Sequence, residues 1–191
     1  MAQPKIQGEY VFRRQEMVSA FNFTEDGKFQ FFYSYGAADR NASGSFTIEG
    51  DTLKLKSDKA PGRDFIIEQQ SKSGSGYQII CKAPNPHLFS TMEGLVFVGD
   101  QKLSFESDKN GVVKIDLPHC DKIYVRNRIF PDIPTLVKDE HNTNNRFEVM
   151  IQESALQVSF KGIDFKILDE NTITCYPNYL IPLEGIEFHK D

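Results

Sequence analysis

The fold is decided by Lys28-Phe29-Gln30-Phe31-Phe32-Tyr33-Ser34-Tyr35, in which every odd position is aromatic. The even positions are polar except Phe32. Successive side chains of a strand point to opposite faces, so this alternation predicts a strand with four rings on one face. A strand with one solvent-exposed face is typical of an antiparallel sheet, because the strands of a parallel sheet are covered on both faces.

The same alternation continues along the chain and predicts an all-β fold with little helix. It recurs in residues 52–56, 77–82, 156–161 and 163–167. Turn residues separate these segments, and Asp26-Gly27 predicts a tight hairpin, since both residues tolerate positive φ. We count about a dozen candidate strands, at the spacing expected of a sandwich or barrel. The nearest approach to a helix is residues 135–141, a turn or two at most.

Two proline-rich or glycine-rich stretches suggest how these strands are organised. The segment Ser71-Lys72-Ser73-Gly74-Ser75-Gly76 is predicted to be a hairpin loop between strands at 66–67 and 77–81. The segment Ala83-Pro84-Asn85-Pro86-His87 is predicted to end a sheet, because proline cannot donate to a β-ladder. We therefore expect two tandem antiparallel units, a partial barrel or meander over 1–84 and a β-sandwich over 85–191.

Charge and cysteine content limit the partners and the compartment. The net charge of −5 opposes nucleic-acid binding, which needs clustered Lys and Arg. Three cysteines, Cys81, Cys120 and Cys175, are too few for a disulfide scaffold, so a reducing, cytoplasmic location is expected. A secreted or periplasmic form whose leader has been removed stays an alternative. No segment approaches the roughly 18 apolar residues of a membrane span.

The motifs of catalysis and metal binding are absent or incomplete in the sequence. There is no Gly-x-Ser-x-Gly, and His119 and Cys120 are neighbours, which in a strand point to opposite faces. Residues 106–111 mimic half of a calcium loop, but Leu117 stands where a bidentate Glu is needed. The four histidines show no paired zinc spacing. We therefore expect no catalytic residue, no metal and no cofactor, and keep a metal-dependent hydrolase only as an alternative.

Two groups of residues are candidate binding sites. The first surrounds the turn at 36–38 and combines aromatic faces with an acid and a planar donor, a combination suited to a pocket mouth; its members are Tyr33, Tyr35, Asp39 and Arg40. The second is a polar run on a long loop that follows Pro134, and long loops often carry function; its members are Lys138, Asp139, Glu140, His141, Asn142 and Asn145. Each group also has a structural interpretation, in which the tyrosines pack in the core and the loop is merely solvated.

Parts of the sequence resemble two known β families. Residues 8–12, 21–29 and 44–55 are similar to the opening meander of lipocalin-like domains of small bacterial proteins, although the chain has no Trp and therefore lacks the usual Gly-x-Trp. Residues 96–100, 107–111, 113–118 and 123–125 resemble a transthyretin-like, carboxypeptidase-regulatory type of β-sandwich, and residues 145–151 suit its closing strand. These resemblances imply folds, and such folds host many unrelated functions.

The sequence therefore leaves three hypotheses for function. The first is a non-enzymatic module whose loops or sheet edge bind a protein or a glycan. The second is a lipocalin-like carrier that holds a small apolar ligand against the Phe29, Phe31, Tyr33 and Tyr35 face. The third is the hydrolase named above. Ligand, partner and oligomeric state are left open.

Overall fold

The computed structural model of the chain describes residues 5–36, 38–85, 88 and 90–191. These residues form sixteen β-strands and one 3-10 turn, Glu153–Leu156, so the predicted all-β class is confirmed. Strands of the first half are β1 (Gly8–Arg14), β2 (Met17–Phe23), β3 (Lys28–Tyr35), β4 (Ala38–Glu49), β5 (Thr52–Ser57), β6 (Phe65–Ser71), β7 (Tyr77–Lys82) and β8 (Met92–Val98). Those of the second half are β9 (Gln101–Glu106), β10 (Val112–Ile115), β11 (Lys122–Asn127), β12 (Thr135–Lys138), β13 (Arg146–Ile151), β14 (Asp164–Asp169), β15 (Thr172–Cys175) and β16 (Ile186–Lys190).

The chain divides into two compact units, one inserted into the sequence of the other. Unit 1 comprises Met1–Ala60 and Leu156–Asp191, and unit 2 comprises Pro61–Ala155. The helical structure of the described residues is too short to cross a bilayer.

Unit 1 is a closed eight-stranded barrel in the order β1-β16-β15-β14-β5-β4-β3-β2. Strands β1 to β5 form a meander, and β2 and β3 pair from Phe23 opposite Phe29 to Met17 opposite Tyr35, so the predicted Asp26-Gly27 hairpin is confirmed. Closure depends on the end of the chain, because β14 pairs with β5 and β16 pairs with β1. All these pairings are antiparallel.

Aromatic rings fill the barrel. Phe21 is fully buried and its ring lies 4.6 Å from that of Phe31, 5.1 Å from that of Phe165 and 5.3 Å from that of Phe188, between centroids. Phe160 packs against Phe31 at 4.9 Å. Offset and edge-to-face ring pairs of this kind add to the free energy of burial, so the barrel has a packed core.

Unit 2 contains two four-stranded sheets. Their orders are β10-β7-β13-β6 and β12-β11-β8-β9. All neighbours are antiparallel except β7 and β13, which run parallel. Each sheet has one buried face, exemplified by Ile79 and Val149 in the first sheet and by Val96 and Val125 in the second.

The structure differs from the predicted organisation at three places. The expected units 1–84 and 85–191 are not the units found, because β7 pairs with β10 and β13 across residue 84 and β14 to β16 belong to the barrel. The strands at 66–67 and 77–81 do not form a hairpin, since β13 lies between β6 and β7. Residues 135–138 form a strand, not a helical turn. Pro86 and His87 of the predicted boundary lie outside the described residues.

Candidate functional site

One cleft of unit 2, of about 430 Å³, is lined mostly by polar side chains of three loops. We name it the polar cleft. Its lining consists of Lys72, Gly74, Ser75, Gly76, Tyr77, Pro118, His119, Lys138, Glu140, Asn142, Thr143 and Asn145. Its volume lies within the range of small-molecule and group-recognition sites, which begins at about 300 Å³.

The loop at 138–145 is held in shape by its own side chains. Asp139 Oδ1 accepts hydrogen bonds from the backbone N–H groups of His141 and Asn142, both at 2.9 Å. Asn142 Oδ1 then accepts the N–H of Asn144 at 3.0 Å, and Asn142 Nδ2 donates to Gln70 Oε1 at 2.8 Å. Short polar side chains make such turns because they can bond the backbone two or three residues on. The polar run is therefore an ordered loop.

Asn145 ties this loop to the glycine-rich loop on the other side of the cleft. It is 9% exposed. Its Oδ1 accepts the Ser73 N–H at 2.8 Å, and its Nδ2 donates to the carbonyl of Gly76 at 2.8 Å. Gly76 has φ of +64°, and a Cβ there would lie 2.7 Å from the Ile115 carbonyl oxygen. Only glycine fits this position. Its lack of a side chain lets the loop backbone pack closely against the backbone of Ile115.

Lys138 is buried beneath the cleft, with 2% of its surface exposed. Its Nζ donates to the carbonyl oxygens of Cys120 and Asp139, both at 2.9 Å, and to that of Asp121 at 3.3 Å. It also lies 6.0 Å from the centroid of the Tyr77 ring, at the limit of a cation–π contact. Lys138 thereby fastens the end of β12 to residues 120–121, next to the Pro118 and His119 wall.

His119 and Asp121 form an exposed pair at the rim. His119 Nε2 lies 2.9 Å from Asp121 Oδ1, and Asp121 Oδ2 accepts the Gly99 N–H at 2.6 Å. The pKa of Asp121 is lowered, first by the Gly99 hydrogen bond and then by His119. Cys120 between them is fully buried, and burial raises its thiol pKa. His119 therefore has a carboxylate beside it but no activated thiol.

The predicted loop residues divide into framework and contact groups. Lys138, Asp139, Asn142 and Asn145 make the hydrogen bonds that hold the loop, whereas Glu140 and His141 are exposed and make none of these bonds with their side chains. Four of the six line the polar cleft: Lys138, Glu140, Asn142 and Asn145. Sequence reasoning missed the wall made by Tyr77, Pro118 and His119, and it treated the neighbouring segment 71–76 only as a flexible hairpin loop.

The other predicted group lies in unit 1 and is divided between two faces of the barrel wall. Tyr33 and Arg40 oppose each other on β3 and β4 and are buried, with 6% and 2% exposed. Arg40 Nη2 donates to the Gln157 carbonyl at 2.9 Å, and burial raises the Tyr33 pKa while Arg40 lowers it. Tyr35 is half-exposed at the strand end, and Asp39 is exposed. The structure therefore brings Tyr33 and Arg40 together, with Asp39 on the outer side.

Two of the grooves that are larger than the polar cleft lie on strand faces, one in each unit. A groove of about 750 Å³ on the barrel is bordered by Lys166 and Asp51, which lie 3.7 Å apart. A groove of about 580 Å³ on unit 2 contains Glu93 and Arg126, whose side chains pair at 2.5 Å. In each groove the named cation and anion form an ion pair with one another.

Comparison of the chain with protein-family models, with curated proteins and with solved structures found no match. Within the described residues, no three His, Cys, Asp or Glu side chains are grouped so that they could hold a metal ion.

Proposed function

We propose that the chain is a non-enzymatic binding module whose polar cleft receives a polar group of a protein or glycan partner. The observation that carries this proposal is the convergence of the 138–145 loop, the 72–76 loop and the Pro118–His119 segment around one cleft. Loops on a rigid β scaffold are the usual place for recognition.

The cleft is pre-organised for binding. Asp139, Asn142 and Asn145 use their side chains to fix the loop backbones. A site that is already ordered loses less conformational entropy when the ligand arrives, which favours affinity. Glu140 and Thr143 are exposed on this fixed frame, so they can meet polar groups of a ligand.

The chemistry of the cleft supports binding over catalysis. A nucleophile needs a base within hydrogen-bond reach, and in the described residues His119 faces Asp121 with no Ser, Thr or Cys side chain bonded to it. The buried Cys120 has a raised thiol pKa, which opposes nucleophilic attack. Catalysis through a protein nucleophile therefore has no support at this site.

The carrier alternative has no support at the rings it named. Phe29 and Phe31 pack against Phe160 at 5.7 Å and 4.9 Å between centroids, and Phe31 also packs against Phe21. Rings at these distances are in contact and fill the space that an apolar ligand would need. Tyr35, the fourth ring, lies half-exposed at the end of its strand.

The two family resemblances enter here as interpretations of the units. The closed antiparallel barrel of unit 1 is compatible with a lipocalin-like domain. In unit 2, the segments that suggested a transthyretin-like sandwich fall at the end of β8, in the turn between β9 and β10, and in β10, β11 and β13. Since both folds host many functions, neither changes the assignment, which stands on the cleft.

The proposal is tested by nuclear magnetic resonance titration of the isotope-labelled full chain with a panel of neutral and acidic saccharides and short charged peptides. We expect at least one class to shift the backbone signals of His119, Glu140 and Thr143. The variant Glu140→Ala/Thr143→Ala should abolish the shifts, whereas Glu170→Ala, an exposed acid on a barrel turn, should not. Shifts confined to residues outside the cleft would contradict the proposed site, and conversion of a bound saccharide or peptide to product would contradict the non-enzymatic role.

A further inference from the structure

Strand β9 is an open and regular sheet edge. It is the outermost strand of its sheet and pairs with β8 over six residues with no register shift. The other edge strands of unit 2 are short or irregular. Strands β10 and β12 have four residues each. The third, β6, shifts register against β13, which leaves Glu68 without an opposing residue. Short or bulged edges resist pairing with another chain, whereas a long regular edge is a template for it.

The backbone phase of β9 shows which residues face the open side. Ser107, just beyond β9, donates its N–H to the Met92 carbonyl at 2.8 Å. Hydrogen-bonded pairs alternate along an antiparallel ladder, so Leu103 and Phe105 also direct their backbone groups toward β8. Lys102, Ser104 and Glu106 direct theirs toward the open side, and no other described backbone bonds to them there.

The side chains of β9 also differ between its two faces. Lys102, Ser104 and Glu106 lie on the outer face and are exposed. Leu103 and Phe105 lie on the face that carries the core, where Phe105 packs over Gly94. Leu103 remains 44% exposed, so the apolar face of the sheet continues to the edge and is not covered there.

We propose that β9 pairs antiparallel with β9 of a second copy of this chain, about a two-fold axis at Ser104. In this register Ser104 opposes the partner's Ser104, and Lys102 opposes the partner's Glu106. Each of these is a hydrogen-bonded pair, so every outward backbone group of the strand finds a partner. Leu103 opposes the partner's Phe105 on the core face. A two-fold contact requires such self-complementarity.

Charge complementarity favours a second copy of β9, over a strand of a different protein, as the pairing partner. Among the described residues, Lys102 has no carboxylate partner, because its neighbour across the ladder is Phe97. Glu106 lies opposite Glu93 and forms a 3.4 Å ion pair with the exposed Arg128. Self-pairing places a cation beside Glu106 and an anion beside Lys102, twice in the dimer, and opposite charges across a ladder are stabilising.

Sedimentation equilibrium of the full chain tests the dimer, independently of any ligand of the polar cleft. Ser104→Pro should abolish dimerisation without breaking the β8–β9 ladder, since the Ser104 N–H points outward. Lys102→Glu should raise the dimer Kd roughly tenfold by replacing two attractive pairs with repulsive ones, and Lys102→Glu/Glu106→Lys should restore it. Lys114→Glu, the same change on the edge strand β10, should have no effect.

Cross-linking tests the register. All three native cysteines are buried, so Ser104→Cys introduces a single exposed thiol, which the two-fold places opposite itself at a Cα separation suitable for a disulfide. We expect Ser104→Cys to form a covalent dimer on mild oxidation and Lys102→Cys to form much less. A chain that stays monomeric at about 1 mM, with Lys102 acting as a protective edge charge, would overturn the proposal. A dimer that survives Ser104→Pro, or β9 occupied by a strand of a different protein, would overturn it equally.

Discussion

Replacement of Lys138 by Met tests whether this lysine is a structural residue or a ligand contact. Met keeps an unbranched, flexible side chain and removes only the ammonium group. The substitution leaves the carbonyl oxygens of Cys120, Asp121 and Asp139 without their present donor. Cys120 and Asp121 directly follow Pro118 and His119 in the chain, so the cleft wall formed by Pro118 and His119 should lose its anchor to β12.

The expected loss follows from the two short bonds. Hydrogen bonds of a charged donor contribute about 1.5–3 kcal/mol each, and Lys138 makes two at 2.9 Å and a weaker one at 3.3 Å. Removing a buried cation also recovers its desolvation penalty, which offsets part of this loss. We therefore expect Lys138→Met to lower the free energy of unfolding by about 2–4 kcal/mol.

Urea unfolding of the full chain, followed by far-ultraviolet circular dichroism, measures this change. The matched control is Lys72→Met, an exposed lysine on the rim of the same cleft, which should change the free energy by less than about 0.5 kcal/mol. A Lys138→Met variant as stable as the parent chain would refute the structural role. Loss of ligand binding at unchanged stability would show instead that Lys138 contacts the ligand.

Three further predictions follow from the core and the buried or paired titratable groups. Phe31→Ala should lower the free energy of unfolding by about 3–5 kcal/mol because the ring is buried; a loss below about 1 kcal/mol in chemical denaturation would show that the ring borders open space. Burial raises the pKa of Cys81 to about 12 and that of Cys175 to about 11, so a thiol reagent at neutral pH should label none of the cysteines until the chain unfolds; rapid labelling of native protein would contradict this. The pKa of Asp121 is lowered by the hydrogen bond from the Gly99 N–H and then by the neighbouring histidine. The free energy that Asp121 contributes to folding is therefore present above its unfolded pKa of about 3.9 and is lost as the pH falls through the lower folded pKa. Asp121→Asn should remove this contribution when stability is measured against pH in the acid range, and an unchanged acid profile would contradict the prediction.

Local sequence determined the strands well because side-chain alternation is a local property. The alternation of residues 28–35 predicted β3, and Phe29, Phe31 and Tyr33 are buried as expected. The fourth ring, Tyr35, departs from the pattern because β3 ends there and the barrel wall no longer covers it. Periodicity assigns a face to a residue, but the ends of the strands decide how far that face is buried.

The candidate loop shows the same limit for polar residues. The run at 138–145 looked uniformly exposed, yet Lys138 is buried and Asn145 nearly so. Whether a polar side chain binds its own backbone or a ligand depends on which carbonyl and N–H groups the fold brings near it. For Lys138, two of the three acceptor carbonyls belong to residues 120 and 121, a proximity that no local pattern encodes.

The displaced unit boundary has a physical explanation in the way the inserted unit begins and ends. Within unit 2, β6 and β13 are paired from Phe65 opposite Ile151, and Gln152 donates its N–H to the Asp64 carbonyl at 2.8 Å, so its entry and exit are adjacent. Within unit 1, Lys59 Nζ and the Gln157 carbonyl lie 2.8 Å apart. When unit 2 is unfolded, pairing β5 with β14 closes a loop of about 100 residues. When unit 2 is already folded, the effective loop shortens to about 10 residues, which lowers the entropic cost of closing it by about 2 kcal/mol. A chain can therefore interrupt its barrel between β5 and β14 at little cost, whereas residue 84 falls inside the inserted unit.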